Sequence, residues 1–414
     1  MCPKPGYRLQ GTRDRERNGL QREGKSEDKK ESEEKRGYRE KPSGKEAVPC
    51  NLSPCNLFPI LPMTQKLKIA ILYDTWGEEE VEVQPEPKRK PGKRKRRRRR
   101  EKHDREEIFE ALEKLGHEPS YQVLDGTDKT LSVLAKSDAD LFFNLTESYA
   151  GDDTKEMHVA AYLDLLGRSY TGAGPQALYL AQDKSLAKKL FKFHDVRSPY
   201  FATCYRGRLD HSEDVKFPLI VKPTSEDGSI GIDQFSVVNS VKELMERIHY
   251  LQEEFDSPAL IEEYIEGREI YAAILGNEQP EALPLIELDL SKLPEGMAKV
   301  AGTEVKWEKD TEAYKVTKSA PAEDLDDEIV ELLSKTALSA YHTLQLRDYG
   351  RVDMRLTPKG EVYVIEANPN PWLSSNSEFF MAAKKSGRSY NELVAEIIEL
   401  ARKDRRKRDL LRWA

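Results

Sequence analysis

Two neighbouring segments near the C-terminal end carry acidic and amide side chains at alternate positions. The first reads RVDMRL over residues 351–356 and the second VIEANPNP over 364–371. Side chains two residues apart on a strand share a face, and the short turn between the segments predicts an antiparallel hairpin that brings Asp353 close to Glu366 and Asn368. Two carboxylates and an amide oxygen are hard ligands that suit Mg²⁺. The alternative is a cross-strand ion pair between one of these carboxylates and an arginine, and the alternation favours the metal site.

The same alternation assigns further side chains to faces of the hairpin. Arg351 is expected on the polar face of the first strand. In the second strand, Val364 is expected to share the face of Glu366 and Asn368, with Ala367 on the opposite face.

A lysine followed by a loop of small residues forms the next candidate group. The segment VKPTSEDGSIGI leaves a strand at Lys222 and passes through Gly228, Ser229 and Gly231. Glycines let backbone N–H groups approach an anion closely, and a lysine supplies the matching charge. The pattern indicates a phosphate-binding loop or, alternatively, an ordinary hairpin turn, and it lacks the GK[ST] sequence of a Walker loop.

An acidic hairpin is the third group. In LIEEYIEGREI, a strand ends at Glu262 and Glu263, turns through Gly267, and returns with Glu269. By itself this pattern is typical of a hairpin with a solvated acidic tip.

A glycine segment at Gly172–Ala177 fits the dinucleotide fingerprint G-x-G-x-x-A. Pro175 lies inside it, and no clean acidic strand end follows about 20 residues later, as that fingerprint requires. We therefore expect a turn rather than a dinucleotide site.

The elements that must position these residues fall into two parts. Predicted strands at 68–73 and 139–145 alternate with predicted helices at 104–115 and 157–166, which is typical of a parallel α/β domain. The rest of the chain mixes both types. Its predicted helices are 181–193, 241–254, 323–346 and 390–403, and its predicted strands are 218–222, 234–238, 259–265, 268–275, 283–288, 350–356 and 361–367.

Much of the charge lies outside these elements. The chain has 67 Lys and Arg against 74 Asp and Glu, a net charge of −7. Residues 1–63 have the composition of a disordered polar leader. The alternative is that translation naturally begins at Met63 and that the leader is an artefact of the assigned gene start. The insertion at 78–102 carries an acidic patch over Glu78–Glu86 and eleven Lys or Arg in the thirteen positions Lys88–Arg100. The basic run favours a solvated insertion, with recruitment of nucleic acid or an acidic partner as the alternative.

Cysteine content and hydropathy indicate the compartment. The four cysteines lack paired metal spacing, and no run of 18 apolar residues suggests a membrane span. We therefore expect a reducing cytoplasm and no membrane partner.

Taken in order, the chemical segments resemble the ATP-grasp superfamily and, within it, the D-alanine–D-alanine ligases. The likeness covers about residues 66–405 and is carried by KPTSEDGSIGI, LIEEYIEGREIYAAILGN, VKW, PAEDL, GRVDMRL and VIEANPNPWLSSNSEFF. It implies an ATP-grasp fold of α/β plus α+β type, in which two α+β lobes clasp ATP. The implied parts are an N-terminal parallel α/β substrate domain at 64–180, a central lobe at 181–258, a C-terminal catalytic lobe at 259–405 and a basic tail at 406–414.

The resemblance also implies roles for individual residues. Those implied to hold the phosphates, adenine and ribose of ATP are Lys184, Lys222, Gly228, Ser229, Gly231, Glu262, Glu263, Ile265 and Glu269. Lys306 of VKW would close over the phosphates, Arg351 would stabilise charge on an acyl phosphate, and Ser377 would lie near the second substrate's carboxylate. The implied ligands of two Mg²⁺ ions, for which Mn²⁺ is an acceptable substitute, are Asp353, Glu366 and Asn368.

Two departures from the family pattern concern the substrates. The family's Ser-x-Glu cluster, whose glutamate engages the first substrate's ammonium group, has no match in AILYDTWGEEEVE, where Glu78, Glu79 or Glu80 would have to replace it. The family's Pro-Gly step is Pro371-Trp372 here.

The implied function is an ATP- and Mg²⁺-dependent carboxylate–amine ligase acting on small amino-acid or peptide substrates through an acyl phosphate. One alternative is a ligase that joins amino acids or peptides other than D-alanine. The other is a non-catalytic ATP-binding module recruited to nucleic acid by its basic loop. A homodimer is compatible with each.

Overall fold

The computed structural model describes residues 65–75, 102–224, 226 and 228–412, with side chains through 403. Three predictions fall outside these residues and stay predictions: the leader with its start at Met63, the acidic patch Glu78–Glu86 and the basic run Lys88–Arg100. Within the described part, no helix is both long and apolar enough to cross a membrane.

The first sheet is parallel and has three strands in the order β2-β1-β3. Its strands and the helices between them are β1 (Lys68–Asp74), α1 (Asp104–Lys114), β2 (Glu118–Leu124), α2 (Asp128–Lys136) and β3 (Leu141–Asn144). Ile71 packs with Ile108 of α1, whereas its neighbour Leu72 packs on the other face with Leu134 of α2. Burial on both faces explains the continuous apolar run of β1, and the predicted parallel α/β arrangement is confirmed.

Three helices lead out of this sheet: α3 (Glu156–Leu165), α4 (Pro175–Gln182) and α5 (Lys184–Phe193). The predicted single helix from Ala181 to Phe193 is wrong, because Asp183 has a non-helical backbone with φ −76° and ψ 89°. Its carboxylate accepts the N–H of Leu186 at 2.9 Å and so caps the start of α5. This break makes Lys184 the first residue of α5.

The second sheet is antiparallel, with strand order β5-β4-β8-β6-β7. It contains β4 (Phe201–Tyr205), β5 (Arg208–Ser212), β6 (Leu219–Pro223), β7 (Val237–Val238) and β8 (Ala259–Glu263), with α6 (Val241–Phe255) between β7 and β8. The prediction placed residue 259 onward in the C-terminal lobe. Instead, β8 lies between β4 and β6, because its buried residues Ala259 and Ile261 complete the core of this sheet.

The third sheet has the order β12-β11-β9-β13-β14, with β10 beside β9. Its strands are β9 (Arg268–Leu275), β10 (Glu281–Ala282), β11 (Ile286–Asp289), β12 (Lys318–Pro321), β13 (Tyr349–Leu356) and β14 (Val362–Asn368). The helices of this part are α7 (Thr303–Lys306), α8 (Glu312–Val316), α9 (Asp327–Thr343), α10 (Glu378–Lys385) and α11 (Tyr390–Arg412). Ile270 of β9 packs in the core that contains Leu333 of α9, and Tyr271 packs in the core that contains Phe379 of α10. The sheet is therefore covered on both faces.

The predicted end of the last helix at residue 403 is wrong, since α11 continues to Arg412. The residues after 403 are mainly Arg, Lys and Leu, which have high helix propensity, and no Gly or Pro interrupts them. The part predicted as a basic tail is therefore helical through Arg412.

A β-bulge corrects one predicted face of the β13–β14 hairpin. Asp353 pairs with Glu366, but the next pair is Met354 with Val364, so Ile365 is an extra residue in β14. Val364 is consequently fully buried in the core and does not share the face of Glu366. Because of the bulge, Val364 packs in the core while the side chain of Glu366, which is 24% exposed, lies outside it.

Candidate active site

Eight of the predicted residues line a cleft between the second and third sheets. Residues of β6, β8, β9, β13 and β14 line it, together with residues of α7 and the neighbouring loops. The predicted residues that line this pocket are Lys222, Ser229, Glu262, Glu263, Ile265, Glu269, Lys306 and Glu366. Five strands and α7 thus contribute to one site, together with the loops beside them.

The three predicted metal ligands lie side by side at the end of the hairpin. Asp353 is directly opposite Glu366 in the β13–β14 register, and Asn368 Nδ2 donates to Asp353 Oδ2 at 3.2 Å. Arg351 also binds Asp353 with two hydrogen bonds, at 2.7 Å from Nε and 2.9 Å from Nη2. An ion pair is therefore present beside the candidate ligands, but it lies within β13 and does not cross between the two strands as the alternative supposed.

The donor set fits a magnesium ion that shares its ligands with phosphate. Among the described residues, no group of three His, Cys, Asp or Glu side chains is placed to hold a metal on its own. Two carboxylates and one amide leave coordination positions for phosphate oxygens and water, which is how Mg²⁺ is usually bound. Burial and the neighbouring carboxylate Glu366 raise the pKa of Asp353 against the opposing effect of Arg351. A cation between the two carboxylates would stabilise their charged forms.

Three lysines converge on Glu366 from different segments. Lys184 Nζ lies 4.0 Å from Glu366 Oε2 and donates to Glu226 O at 2.7 Å. Burial raises the pKa of Glu366, but Lys184, Lys222 and Lys306 outweigh it and hold that pKa at about 2. Three cations around one ionised carboxylate leave a surplus of positive charge, which suits a polyphosphate.

Lys222, near the end of β6, belongs to a buried triad of charged side chains. Glu262 accepts from Lys222 Nζ at 2.7 Å through Oε2 and contacts Lys188 Nζ through Oε1. All three side chains are buried. Burial lowers the pKa of Lys188, and it raises that of Glu262, but the two lysines outweigh burial there and lower the carboxyl pKa. Lys188 was not predicted, although its position four residues after Lys184 places both on one face of α5.

The acidic hairpin contributes another carboxylate to the pocket, that of Glu269. Glu269 pairs with Arg355 Nη2 at 2.5 Å and accepts from the hydroxyl of Tyr271 at 3.1 Å. The N–H of Glu263 donates to Tyr200 O at 3.0 Å, so that group is already used within the protein. Arg355 and Tyr271 were not predicted to have roles here.

Two loops that cover the cleft are joined to each other. Trp307 Nε1 donates to Gly228 O at 2.6 Å, and Ser229 Oγ donates to Ala301 O at 2.7 Å. The N–H of Thr303 donates to Ile232 O at 2.9 Å. The glycine loop and the loop that carries Lys306 therefore form one unit over the pocket.

Replacing Trp307 with phenylalanine should loosen both loops together. The change keeps an aromatic ring and removes the indole N–H that holds Gly228 O. A hydrogen bond of this kind contributes about 0.5–1.5 kcal/mol, so protection against amide hydrogen exchange should fall roughly 2- to 10-fold in both loops. Hydrogen exchange followed by mass spectrometry measures this.

Trp372→Phe is the matched control, because Trp372 is also half exposed and lies outside the two loops. It should leave the exchange of both loops unchanged. Faster exchange confined to residues 301–307 in Trp307→Phe would contradict the joined unit.

The Arg351 end of the site holds Ser377 and Glu378 at the start of α10. Ser377 is 2% exposed, and its hydroxyl donates to Ser374 O at 2.8 Å while accepting from the N–H of Phe380 at 3.2 Å. The predicted substrate role of Ser377 stays a prediction, and it would require this hydroxyl to leave the helix cap. Glu378 instead directs its carboxylate to Arg351, with Oε2 4.0 Å from Nη1.

The glycine segment at 172–177 forms a tightly packed turn that leads into α4. Gly172 has φ +86°, and a Cβ there would lie 3.3 Å from the side chains of Asn370 and Tyr349. Its N–H donates to Asp348 Oδ2 at 3.0 Å, and Pro175 begins α4. The expected turn is therefore found at this place.

Comparison with solved structures shows the fold of the chain. The chain matches the crystal structure of D-alanine–D-alanine ligase from Bacillus anthracis complexed with ATP, with a TM-score of 0.61 and 22% identity over 83% of this chain and 99% of the other. At that identity the likeness shows the fold, and the protein has the predicted ATP-grasp fold.

Sequence relatives define the family. The family described as "D-ala D-ala ligase C-terminus" matches residues 197–399. D-alanine–D-alanine ligase from Bordetella petrii is 33% identical over 289 residues, which are 67% of this chain and 81% of the relative. Uncharacterized protein y4sG from Sinorhizobium fredii is 32% identical over 302 residues, 71% of this chain and 86% of the relative. The chain belongs to the D-alanine–D-alanine ligase family.

Proposed function

We propose that the protein is an ATP- and Mg²⁺-dependent ligase that joins a carboxylate to an amine through an acyl phosphate. The observation that carries this proposal is the convergence of Lys184, Lys222 and Lys306 on Glu366, directly opposite Asp353. Phosphate-binding cations and metal-binding oxygens thus occupy one cleft.

The proposed reaction has two steps. A carboxylate oxygen of the first substrate attacks the γ-phosphorus of ATP, forming an acyl phosphate and releasing ADP. The amine of the second substrate then attacks the acyl carbon, the bond to the phosphate oxygen breaks, and amide, phosphate and a proton are the products. Asp353, Glu366 and Asn368 would hold Mg²⁺, which would offset the negative charge of the phosphates.

The chain's own residues position charge for these steps. Lys184, Lys222 and Lys306 hold the phosphates, and Asp353, Glu366 and Asn368 hold the metal ions. Arg351, at the Asp353 end of the cluster, stabilises the negative charge that develops on the acyl oxygen. Glu262 and Glu269 lie along the remaining pocket for the adenine and ribose.

D-alanine is the nearest named substrate, and another amino acid or a peptide is the second candidate. Trp372, which follows the catalytic asparagine segment and is 47% exposed, favours the second candidate because it is much larger than the glycine expected there. A non-catalytic ATP-binding module is disfavoured, since a binder would not require Arg351 beside Asp353. Nucleic-acid recruitment by Lys88–Arg100 stays a separate prediction.

A phosphate-release screen tests the proposal. The full chain is incubated with ATP and Mg²⁺ together with D- and L-amino acids and short peptides, singly and in pairs. The expected result is phosphate release that requires a carboxylate and an amine, with a condensed product found by mass spectrometry. Substrate-independent ATP hydrolysis, or binding without turnover in every combination, would contradict the proposal.

A further inference from the structure

Arg351 lies between two carboxylates, and only one of them belongs to the candidate metal site. Its Nε and Nη2 atoms donate to Asp353 at 2.7 and 2.9 Å. Its third nitrogen, Nη1, lies 4.0 Å from Oε2 of Glu378. Glu378 therefore borders the same guanidinium from another side.

Glu378 is held in place without being closely neutralised. Its Oε1 accepts from the hydroxyl of Ser319 on β12 at 2.9 Å. Its side chain is 27% exposed, compared with 5% for Asp353. The carboxylate is thus oriented by the protein and remains partly exposed beside Arg351.

The other carboxylates of the site have closer or more numerous positive partners. Asp353 has the two-point contact with Arg351, and Glu269 pairs with Arg355 at 2.5 Å. Glu366 lies 4.0 Å from Lys184, and Lys222 and Lys306 line the same pocket. Among the described ion pairs, Glu378 has Arg351 alone as a cation, at 4.0 Å, and Arg351 is already paired with Asp353. Glu378 is therefore the carboxylate among these four best able to accept another cation.

The second substrate of an amide-forming ligase brings such a cation, because amino groups of amino acids are mostly protonated near neutral pH. We propose that Glu378 binds the ammonium group of the second substrate and so favours an amine over a hydroxyl nucleophile. This inference rests on the proposed function, which places the acyl group beside Arg351. Ser377 is less suited to meeting the substrate, because its hydroxyl lies in the cap of α10.

Glu378→Gln tests the inference by removing the charge while keeping the shape. The KM for the amine should rise roughly 10- to 100-fold, the range expected for loss of a hydrogen-bonded charge pair, while the KM values for ATP and the first substrate stay unchanged. The preference for the amine over the matching 2-hydroxy acid should fall by a similar factor.

Hydroxylamine separates the two steps, because it is uncharged at neutral pH and traps an acyl phosphate as a hydroxamate. Glu378→Gln should keep wild-type hydroxamate formation while losing amide formation at low amine concentration. Ser319→Ala, which frees Oε1 of Glu378, should raise the amine KM by a smaller factor. Glu328→Gln is the matched control, because Glu328 is exposed in the first turn of α9, and it should behave as the wild type.

The outcomes distinguish the inference from the proposed function. An unchanged amine KM in Glu378→Gln, or equal losses of hydroxamate and amide, would overturn the ammonium role. If the wild-type protein forms neither hydroxamate nor amide with any substrate, the proposed function fails and the inference fails with it.

Discussion

Glu366→Gln should lower the rate of amine-dependent phosphate release by roughly 10²–10³-fold, the loss typical of removing one charged group that stabilises a phosphoryl-transfer transition state. Glu366 is the carboxylate that faces Asp353 and is surrounded by Lys184, Lys222 and Lys306. The substitution removes a metal ligand and leaves the lysines in place. Steady-state phosphate release at saturating substrates measures the effect.

Nucleotide binding should respond differently from turnover. Loss of the Glu366 charge removes repulsion toward the phosphates, so affinity for ATP in the absence of Mg²⁺ should be unchanged or tighter in calorimetry. Glu361→Gln is the control, because Glu361 immediately precedes the strand that carries Glu366 and pairs with Arg197 on the surface. Wild-type turnover in Glu366→Gln would show that Glu366 is not a ligand.

Glu262→Gln should reduce the free energy of unfolding by about 3–5 kcal/mol, as expected when one partner of a buried ion cluster is removed. Glu262 is the only carboxylate that contacts both Lys188 and Lys222 among the described ion pairs. Without it, two lysines that are each at most 2% exposed face one another. Urea denaturation of the full chain measures the change.

A double variant distinguishes charge imbalance from simple loss of packing. Lys188→Met combined with Glu262→Gln removes one of the two unpaired cations and should recover part of the lost stability. Glu263→Gln, on the next position of the same strand and only partly buried, should change stability by less than about 0.5 kcal/mol. A Glu262→Gln variant as stable as the control would contradict the role of the triad.

The β13–β14 hairpin could be predicted from the sequence because its contacts are local. Asp353 and Glu366 are 13 positions apart and joined by one tight turn, so alternation and antiparallel pairing suffice to bring them together. The bulge at Ile365 was not accessible, because alternation assumes an unbroken register and places Val364 on the wrong face. The resemblance supplied the roles of Lys184 and Lys306, which spacing alone does not assign.

Lys188 and Glu378 show what local pattern leaves out. A lysine on an amphipathic helix normally faces water, and only contact with Glu262 on β8, 74 positions away, makes Lys188 part of the site. Glu378 lies at the start of a helix, where an acidic residue is ordinary. Its proposed role follows from its position beside Arg351 of β13, which the sequence around Glu378 does not indicate.

Transfer of oxygen from substrate to phosphate tests the acyl phosphate most directly. The first substrate is supplied with both carboxylate oxygens labelled as ¹⁸O, and the phosphate released during amide formation is analysed by mass spectrometry. An acyl phosphate predicts one labelled oxygen in each phosphate, because the bond that breaks joins the acyl carbon to a former carboxylate oxygen. Unlabelled phosphate, or label recovered in AMP, would contradict the mechanism.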